Sequence, residues 1–261
     1  MPRVPIIIFF NKTMHKIHFR FYEELNDFFP AEKRKVRFAH NYIHRASVKD
    51  VIESLGVPHT EVDMILVNGK SIGFDYLIND SDDISVYPVF ESLDITNVQH
   101  LRSKPLRNPK FIADVHLGRL AHYLRMLGFD ALYENNYEDD EIVKISLKEK
   151  RAILTKDRGI LKRSEVTHGY WIRSRKVKEQ VVEIIKRFDM KKLIEEFTRC
   201  TECNTILKSI SKSEIINKLP PKVSRSQKSF SICPLCKKLY WKGTHHQRML
   251  SFIKTIKNAE L

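Results

Sequence analysis

The stretch FIADVHLGRLAHYLRMLGFD, Phe111 to Asp130, joins an apolar triplet to a single aspartate and runs straight on into an amphipathic helix. Phe111 to Ala113 reads as a short strand. After it, Leu117, Leu120, Ala121, Leu124 and Leu127 fall on one helical face, and Gly128 closes the helix. A strand that ends in a carboxylate before a helix puts Asp114 at the carboxyl edge of a sheet, where α/β folds bind ligands.

The same alternation continues downstream. DALYE is a second short strand, and DDEIVKISLKEKR is a helix opened by acidic residues that suit its amino end. AILT is a third strand ending at Lys156 and Asp157. YWIRS is a fourth, followed by a helix that turns Val177, Val181, Ile184, Ile185 and Phe188 inward. Strand and helix in this order imply a parallel sheet with helices on both faces.

All parallel strands end on one edge, so Asp114, Asp139 or Asp140, and Asp157 can converge there. Acids brought together repel and raise one another's pKa unless a cation lies between them. Mg²⁺ and Mn²⁺ take oxygen ligands and share them with substrate phosphates. Two such ions can activate water and stabilise the leaving oxygen in phosphodiester displacement. Taken singly, each aspartate also has the plain reading of a helix cap or turn residue. Arg119, His122 and Arg125 lie on or near the polar side of the helix after Asp114, and Lys156 and Arg158 bracket Asp157. They suit phosphate binding, with a solvated face and snorkelling stems as the ordinary alternative. His116 is a candidate general acid or base, or a structural first-turn residue.

At 261 residues with 42% hydrophobic content, the chain is expected to form two or three domains. Net charge is +14 and uneven. Lys+Arg against Asp+Glu run 11 and 14 over residues 1–96, 20 and 13 over 97–190, and 15 and 5 over 191–261. The basic two thirds suit a polyanion such as nucleic acid. No apolar run reaches the roughly 20 residues of a membrane span. The opening MPRVPIIIFFNK lacks the h-region and cleavage site of a signal peptide. The expectation is a cytoplasmic protein with no membrane partner.

In the first hundred residues, HKIHFRFYEELNDFFP and ILVNGKSIGFDYLINDSDDISVYPVF read as strands and a hairpin broken at Asn-Gly and Asp-Asp. Between them SVKDVIESLGVP is a helix with Ser47 as N-cap and Gly56 as stop. SVKDVIESLGVP, ILVNGK and DDISVYP together resemble the ubiquitin-like and sulfur-carrier-like β-grasp families. Those carriers use a free terminal Gly-Gly, whereas here VYPVFESLD continues the chain. A docking role or a structural appendage is expected instead.

The four cysteines form two pairs, Cys200-Thr-Glu-Cys203 and Cys233-Pro-Leu-Cys236, separated by 29 residues. This spacing predicts two knuckles closing one structural, tetrahedral Zn²⁺ site with no open position. The Lys-, Ser- and Pro-rich insert between the pairs is expected to be a basic loop or hairpin. Beyond it, KKLYWKGTHHQRML sets Tyr240 and Trp241 among cations, which suits stacking on unpaired bases or packing on the small zinc core.

FIADVHLGRLAHYLRMLGFD, DDEIVKISLKEKRAILTKDRGIL and VTHGYW resemble the PIN-like RNase family named after the C-terminal domain of the Mut-7 exonuclease. Its prokaryotic members often carry a β-grasp domain in front and a zinc ribbon behind. The resemblance implies metal-dependent RNase chemistry with Mg²⁺ or Mn²⁺ on Asp114, Asp140 and Asp157. The fourth carboxylate that PIN domains often bring after a later strand has no counterpart before Glu179.

The expected fold is therefore an α/β, PIN-like parallel sheet over 97–190, an α+β β-grasp domain over 1–96, and a zinc ribbon with a basic insert over 191–261. The expected function is a metal-dependent ribonuclease, with Arg119, Arg125, Lys156, Arg158 and Trp241 on the RNA. Cys200, Cys203, Cys233 and Cys236 would hold zinc, and transfer RNA or another structured RNA would be the substrate. A protein partner for the β-grasp domain is also expected. The rivals are a non-catalytic nucleic-acid-binding adaptor with a vestigial acidic site, and a phosphatase acting on small esters.

Overall fold

The computed structural model describes residues 14–43, 45–88 and 108–258. The MPRVPIIIFFNK opening and most of the VYPVFESLD continuation, from Val89 on, lie outside the described residues. Two compact units emerge, Met1–Ser103 and Lys104–Leu261.

The first unit has strands β1 (His15–Phe21), β2 (Phe38–Tyr42), β3 (Val62–Val67), β4 (Lys70–Ile72) and β5 (Asp83–Pro88) around helix α1 (Val48–Ser54). The sheet order is β2-β1-β5-β3-β4. Its central pair, β1 and β5, is parallel and its other pairs are antiparallel, the β-grasp arrangement. Period-two patterning buries Ile17, Phe19 and Phe21 of β1. Ser47 caps α1 by accepting the Asp50 N–H. Asn68 and Gly69 both take positive φ, +49° and +80°, as a two-residue hairpin turn demands.

The second unit opens with β6 (Phe111–Ala113), α2 (Gly118–Met126), β7 (Ala131–Leu132) and α3 (Asp139–Glu149). It continues with β8 (Ala152–Thr155), α4 (Arg158–Leu161), β9 (Gly169–Trp171) and α5 (Val177–Arg187). The four strands pair in parallel in the order β7-β6-β8-β9. Alternation along each strand divides the core. Phe111, Ala113, Leu154 and Tyr170 pack with α2 and α5, while Ile112 and Ile153 pack with α3 and α4 on the other face. Strand order reverses between β6 and β8, and the crevice at such a reversal is where sheets of this kind bind ligands.

The remainder is an antiparallel sheet, β10 (Lys208–Ile210), β11 (Phe230–Ile232) and β12 (Leu239–Trp241), followed by α8 (Thr244–Asn258). The insert is not the plain loop or hairpin expected. It also folds into two short helices, α6 (Lys212–Ile215) and α7 (Pro221–Ser226). Ser211 and Glu214 form a reciprocal capping box at the first, and Pro221 opens the second. Ile215, Leu219 and Phe230 make a small core there, against which Trp241 packs. Helix α8 was not anticipated from sequence; its Ile253 and Ile256 are buried in the α2–α5 core.

Arg125 corrects a sequence expectation. It is not on the polar side of its helix: only 4% remains exposed. Its guanidinium donates to the carbonyls of Ala131 (2.7 Å), Thr201 (3.2 Å) and Glu202, binding α2 and β7 to the first cysteine knuckle. Every one of these acceptors is backbone, so phosphate binding would break the joint. Asp130 works alongside it, accepting from Arg151 at 2.6 Å and Asn204 at 2.7 Å. Burial opposes ionisation of Asp130, but these hydrogen bonds prevail and hold its carboxyl below the ordinary 3.8. Gly128, at φ +97°, admits the segment after α5: a Cβ there would lie 2.3 Å from the Glu195 carbonyl oxygen.

Arg125→Met leaves buried carbonyls without donors and is expected to cost about 3 kcal/mol in urea unfolding followed by circular dichroism. A cost below about 1 kcal/mol would show that the clamp is dispensable. For Asp130, a folded-state pKa below the unfolded value means that its stabilisation is full above about pH 5 and fades as pH falls through the depressed value. The stability gap between wild type and Asp130→Asn, about 1–3 kcal/mol at pH 7, therefore narrows on acidification below pH 4; a gap constant across that range contradicts the assignment.

Candidate functional site

Asp114 follows β6 and caps the short 3-10 turn after it, accepting the His116 N–H on Oδ1 at 2.8 Å. Its Oδ2 accepts Thr155 Oγ1 at 2.5 Å and the Lys156 N–H at 2.9 Å, both from the end of the neighbouring strand β8. The residue is 6% exposed, its side chain held by three donors in one orientation. Thr155 is fully buried, and its hydroxyl also accepts the Asp157 N–H at 2.8 Å. One hydroxyl thus binds both carboxylate-bearing strand ends. Asp157 caps α4 through the Gly159 N–H at 2.7 Å and remains exposed.

Asp140 stands elsewhere than expected. In the first turn of α3 it pairs with Arg163 at 2.5 Å, which holds its carboxyl below the ordinary value. Arg163 also pairs with Glu165. Asp114, Asp140 and Asp157 are therefore not drawn together as a trio. Among the described residues the four cysteines are the one group of three or more metal-ligating side chains gathered closely enough to hold an ion. Asp114 and Asp157 do offer two hard oxygen donors on adjacent strand ends, which suits an ion that keeps waters and shares phosphate oxygens.

The surroundings are cationic. Arg119 and Lys156 are exposed. Arg158 lies 4.0 Å from the ring centroid of Trp171, and Arg173 lies 5.3 Å from the same ring. Trp171 pairs with Thr155 across the β8–β9 ladder and donates from Nε1 to the Lys156 carbonyl at 3.2 Å. Sequence reading passed over both Thr155 and Trp171. A tryptophan followed closely by arginine at the end of a strand, and a threonine before the Lys-Asp pair, were the available signals. Glu183 of α5 reaches the end of β9 but is engaged by the backbone N–H groups of Arg173 and Ser174 at 2.8 and 3.0 Å.

The cysteines sit in two matching knuckles. In each, the first cysteine N–H bonds to the carbonyl of the second residue past the pair, Thr205 or Lys238, at 2.8 and 2.9 Å. In each, the residue just past the pair turns left-handed, Asn204 at φ +67° and Lys237 at +62°, and donates to the first cysteine carbonyl at 3.0 Å. The knuckles face each other with Sγ–Sγ separations of 3.6 Å (Cys200–Cys236) and 3.3 Å (Cys203–Cys233). A tetrahedral zinc about 2.3 Å from each thiolate asks for roughly 3.8 Å, so the donor set fits that ion. Desolvation opposes ionisation of Cys203, yet hydrogen bonding with Thr205 and the neighbouring thiols brings it down to about 6. At Cys236 a Lys238 backbone hydrogen bond favours the thiolate, but desolvation and the other thiols outweigh it and push it up to about 12. Tyr240 places its hydroxyl 3.1 Å from Cys200 Sγ, and Trp241 is half-buried beside the insert's core.

A parallel sheet carrying paired carboxylates at its switch point, with a β-grasp unit in front and a four-cysteine cluster behind, defines a PIN-like α/β protein. The Mut7-C RNAse domain family model matches residues 109–253, more than half the chain, and the Mut7-C ubiquitin model matches residues 14–94. The chain belongs to the Mut7-C RNAse domain family. No curated protein and no solved structure matches it. Among the described residues no helix is long and apolar enough to cross a membrane.

Because Cys236 keeps its proton at neutral pH without metal, zinc uptake by the chelator-stripped protein at pH 7 should release protons, read by an indicator dye in weak buffer. Cys200→Ser should abolish stoichiometric zinc and lower the unfolding temperature of this unit. Proton-neutral uptake, or full zinc content in the variant, would contradict the four-thiolate site.

Proposed function

We propose that the chain is a metal-dependent ribonuclease that hydrolyses RNA phosphodiester bonds at the edge formed by Asp114 and Asp157. The observation that carries this reading is Asp114 itself: a buried carboxylate locked by three donors at the switch point of a parallel sheet, with a second carboxylate one strand away. In water such burial is costly, and it is kept where the group has work to do. Membership of the Mut7-C RNAse domain family supports the same chemistry.

Asp114 and Asp157 would hold a Mg²⁺ or Mn²⁺ ion, which when bound lowers the pKa of an attacking water and stabilises charge on the leaving oxygen. Thr155 is a positioning residue, orienting Asp114 by donating to it while accepting the Asp157 N–H. Lys156, Arg158 and Arg119 would neutralise phosphates flanking the scissile bond. Asp140 joins the site once Arg163 turns from it towards phosphate. The ribbon and its basic insert would bring in the RNA, Trp241 included, and transfer RNA or another structured RNA is a fitting substrate. We assign the β-grasp domain a docking role towards a protein partner. A cytoplasmic setting fits, since it keeps the four thiols reduced for zinc.

The second reading is an RNA-binding adaptor. It is favoured by one specific feature: Asp140 is engaged by Arg163 and Glu183 by loop backbone, leaving two carboxylates at the edge.

End-labelled total, transfer and synthetic single-stranded RNA incubated with Mn²⁺, Mg²⁺ or EDTA separates the two. Cleavage should need metal and fall by at least about a hundredfold in Asp114→Asn and in Asp157→Asn, with RNA binding retained. Thr155→Val should lose less, about tenfold. Salt-sensitive binding without cleavage under any condition would establish the adaptor instead.

A further inference from the structure

We propose that a cavity between the ribbon sheet and α8 is a binding site for one unpaired nucleobase of RNA together with its phosphate. The proposal rests on the RNA-directed reading above and names the feature of RNA that the ribbon selects.

The cavity measures about 470 Å³, within the range of small-ligand sites. Its walls are mainly apolar and aromatic: Phe197, Phe230, Tyr240 and Trp241, with Leu239 and Met249 between. Flat rings from separate elements suit a flat ligand better than an aliphatic one, and every base has a π-face to offer. Tyr240 has its hydroxyl committed to Cys200 and Thr201, at 3.1 and 3.2 Å, so the zinc knuckle fixes its ring.

Phe197 supplies an independent sign of use. It holds φ at +61°, a left-handed conformation that is rare for a bulky side chain. The Phe197 N–H donates to the Met126 carbonyl at 2.8 Å, anchoring the backbone in that shape. Its ring lies 4.2 Å from that of His246 on α8. Backbone strain of this kind is retained where the surroundings enforce it, and it gathers at ligand-binding sites.

Charge decides between possible occupants. Lys238 and Lys242 also line the cavity, in a segment with 15 cations against 5 acids. Burial and the Lys242 charge both lower the His246 pKa and favour its neutral ring. An apolar slot bordered by cations matches a base joined to a phosphodiester. Ser229 and Ser231 on the cavity wall give hydroxyls that can meet base edges.

The test uses the full-length, zinc-loaded protein carrying Asp114→Asn, so that bound RNA stays intact. Affinity is measured by fluorescence anisotropy for a labelled oligouridylate and for the same oligomer with abasic sugars. The abasic oligomer should bind about tenfold more weakly or worse. Trp241→Ala should weaken the oligouridylate by about the same factor and leave the abasic oligomer unchanged, whereas Lys242→Ala should weaken both. Zinc content verifies the fold of Trp241→Ala, and His246→Ala on α8 replaces it should zinc be lost. Equal affinity for the two oligomers, with neither aromatic variant having an effect, would overturn the proposal. That outcome leaves the nuclease reading standing, because metal-dependent cleavage by the unmutated protein is measured separately.

Discussion

The buried hydroxyl of Thr155 is the interaction on which the candidate edge depends. It donates to Asp114 and accepts from the Asp157 backbone, so a single oxygen joins the two carboxylate-bearing strand ends, beside the Lys156 N–H that also reaches Asp114. The parallel register of β6 and β8 makes this possible, since Ala113 and Leu154 are partners and the next residue on each strand turns towards the crevice. Replacing that hydroxyl with a methyl group would keep the packing and remove the tie. The carboxylate would then retain two donors and its burial, and lose its fixed orientation.

A second constraint joins chemistry to scaffold. Arg125 and Asn204 carry the contact between the α/β sheet and the first cysteine knuckle, one from each side. Asn204 is the left-handed residue of that knuckle, and its side chain also accepts the Ala131 N–H at 3.1 Å and donates to Asp130. The residue that lets the knuckle turn is therefore the residue that attaches it to β7. Helix α8 closes the loop by burying Ile253 and Ile256 against α2 and α5. A zinc ion held by the four thiolates would be coupled to sheet packing through these contacts, so its loss would be felt beyond the ribbon.

Much of this was legible in sequence because it follows from local patterning. The strand and helix alternation from Phe111 to Phe188, the Asn-Gly hairpin, the Ser47 cap and the cysteine spacing each have a local cause, and each has its counterpart in the structure. What escaped depends on long-range partners. Arg125 reads as a surface cation on its own helix and becomes a buried clamp only because carbonyls 76 and 77 residues away meet it. Asp140 looks like a third member of an acidic cluster until Arg163, 23 residues on, takes its carboxylate. Thr155 and Trp171 look like ordinary strand residues, since nothing in AILT or YWIRS announces which strand end they will face.

The Asp140–Arg163 pair also bears on how the acidic edge meets RNA. Both groups are exposed enough for water to screen their attraction, and the pair adds little to stability. Exchanging a carboxylate for a phosphodiester on the Arg163 guanidinium is then nearly balanced, because either anion offers it two oxygens. Phosphate arriving at Arg163 would release Asp140 at the moment an additional negative charge becomes useful beside a cation. An arginine that guards a carboxylate without substrate and grips substrate in its place would keep the edge from accumulating repulsion while empty. On this physical footing the Asp140–Arg163 ion pair is compatible with a working site.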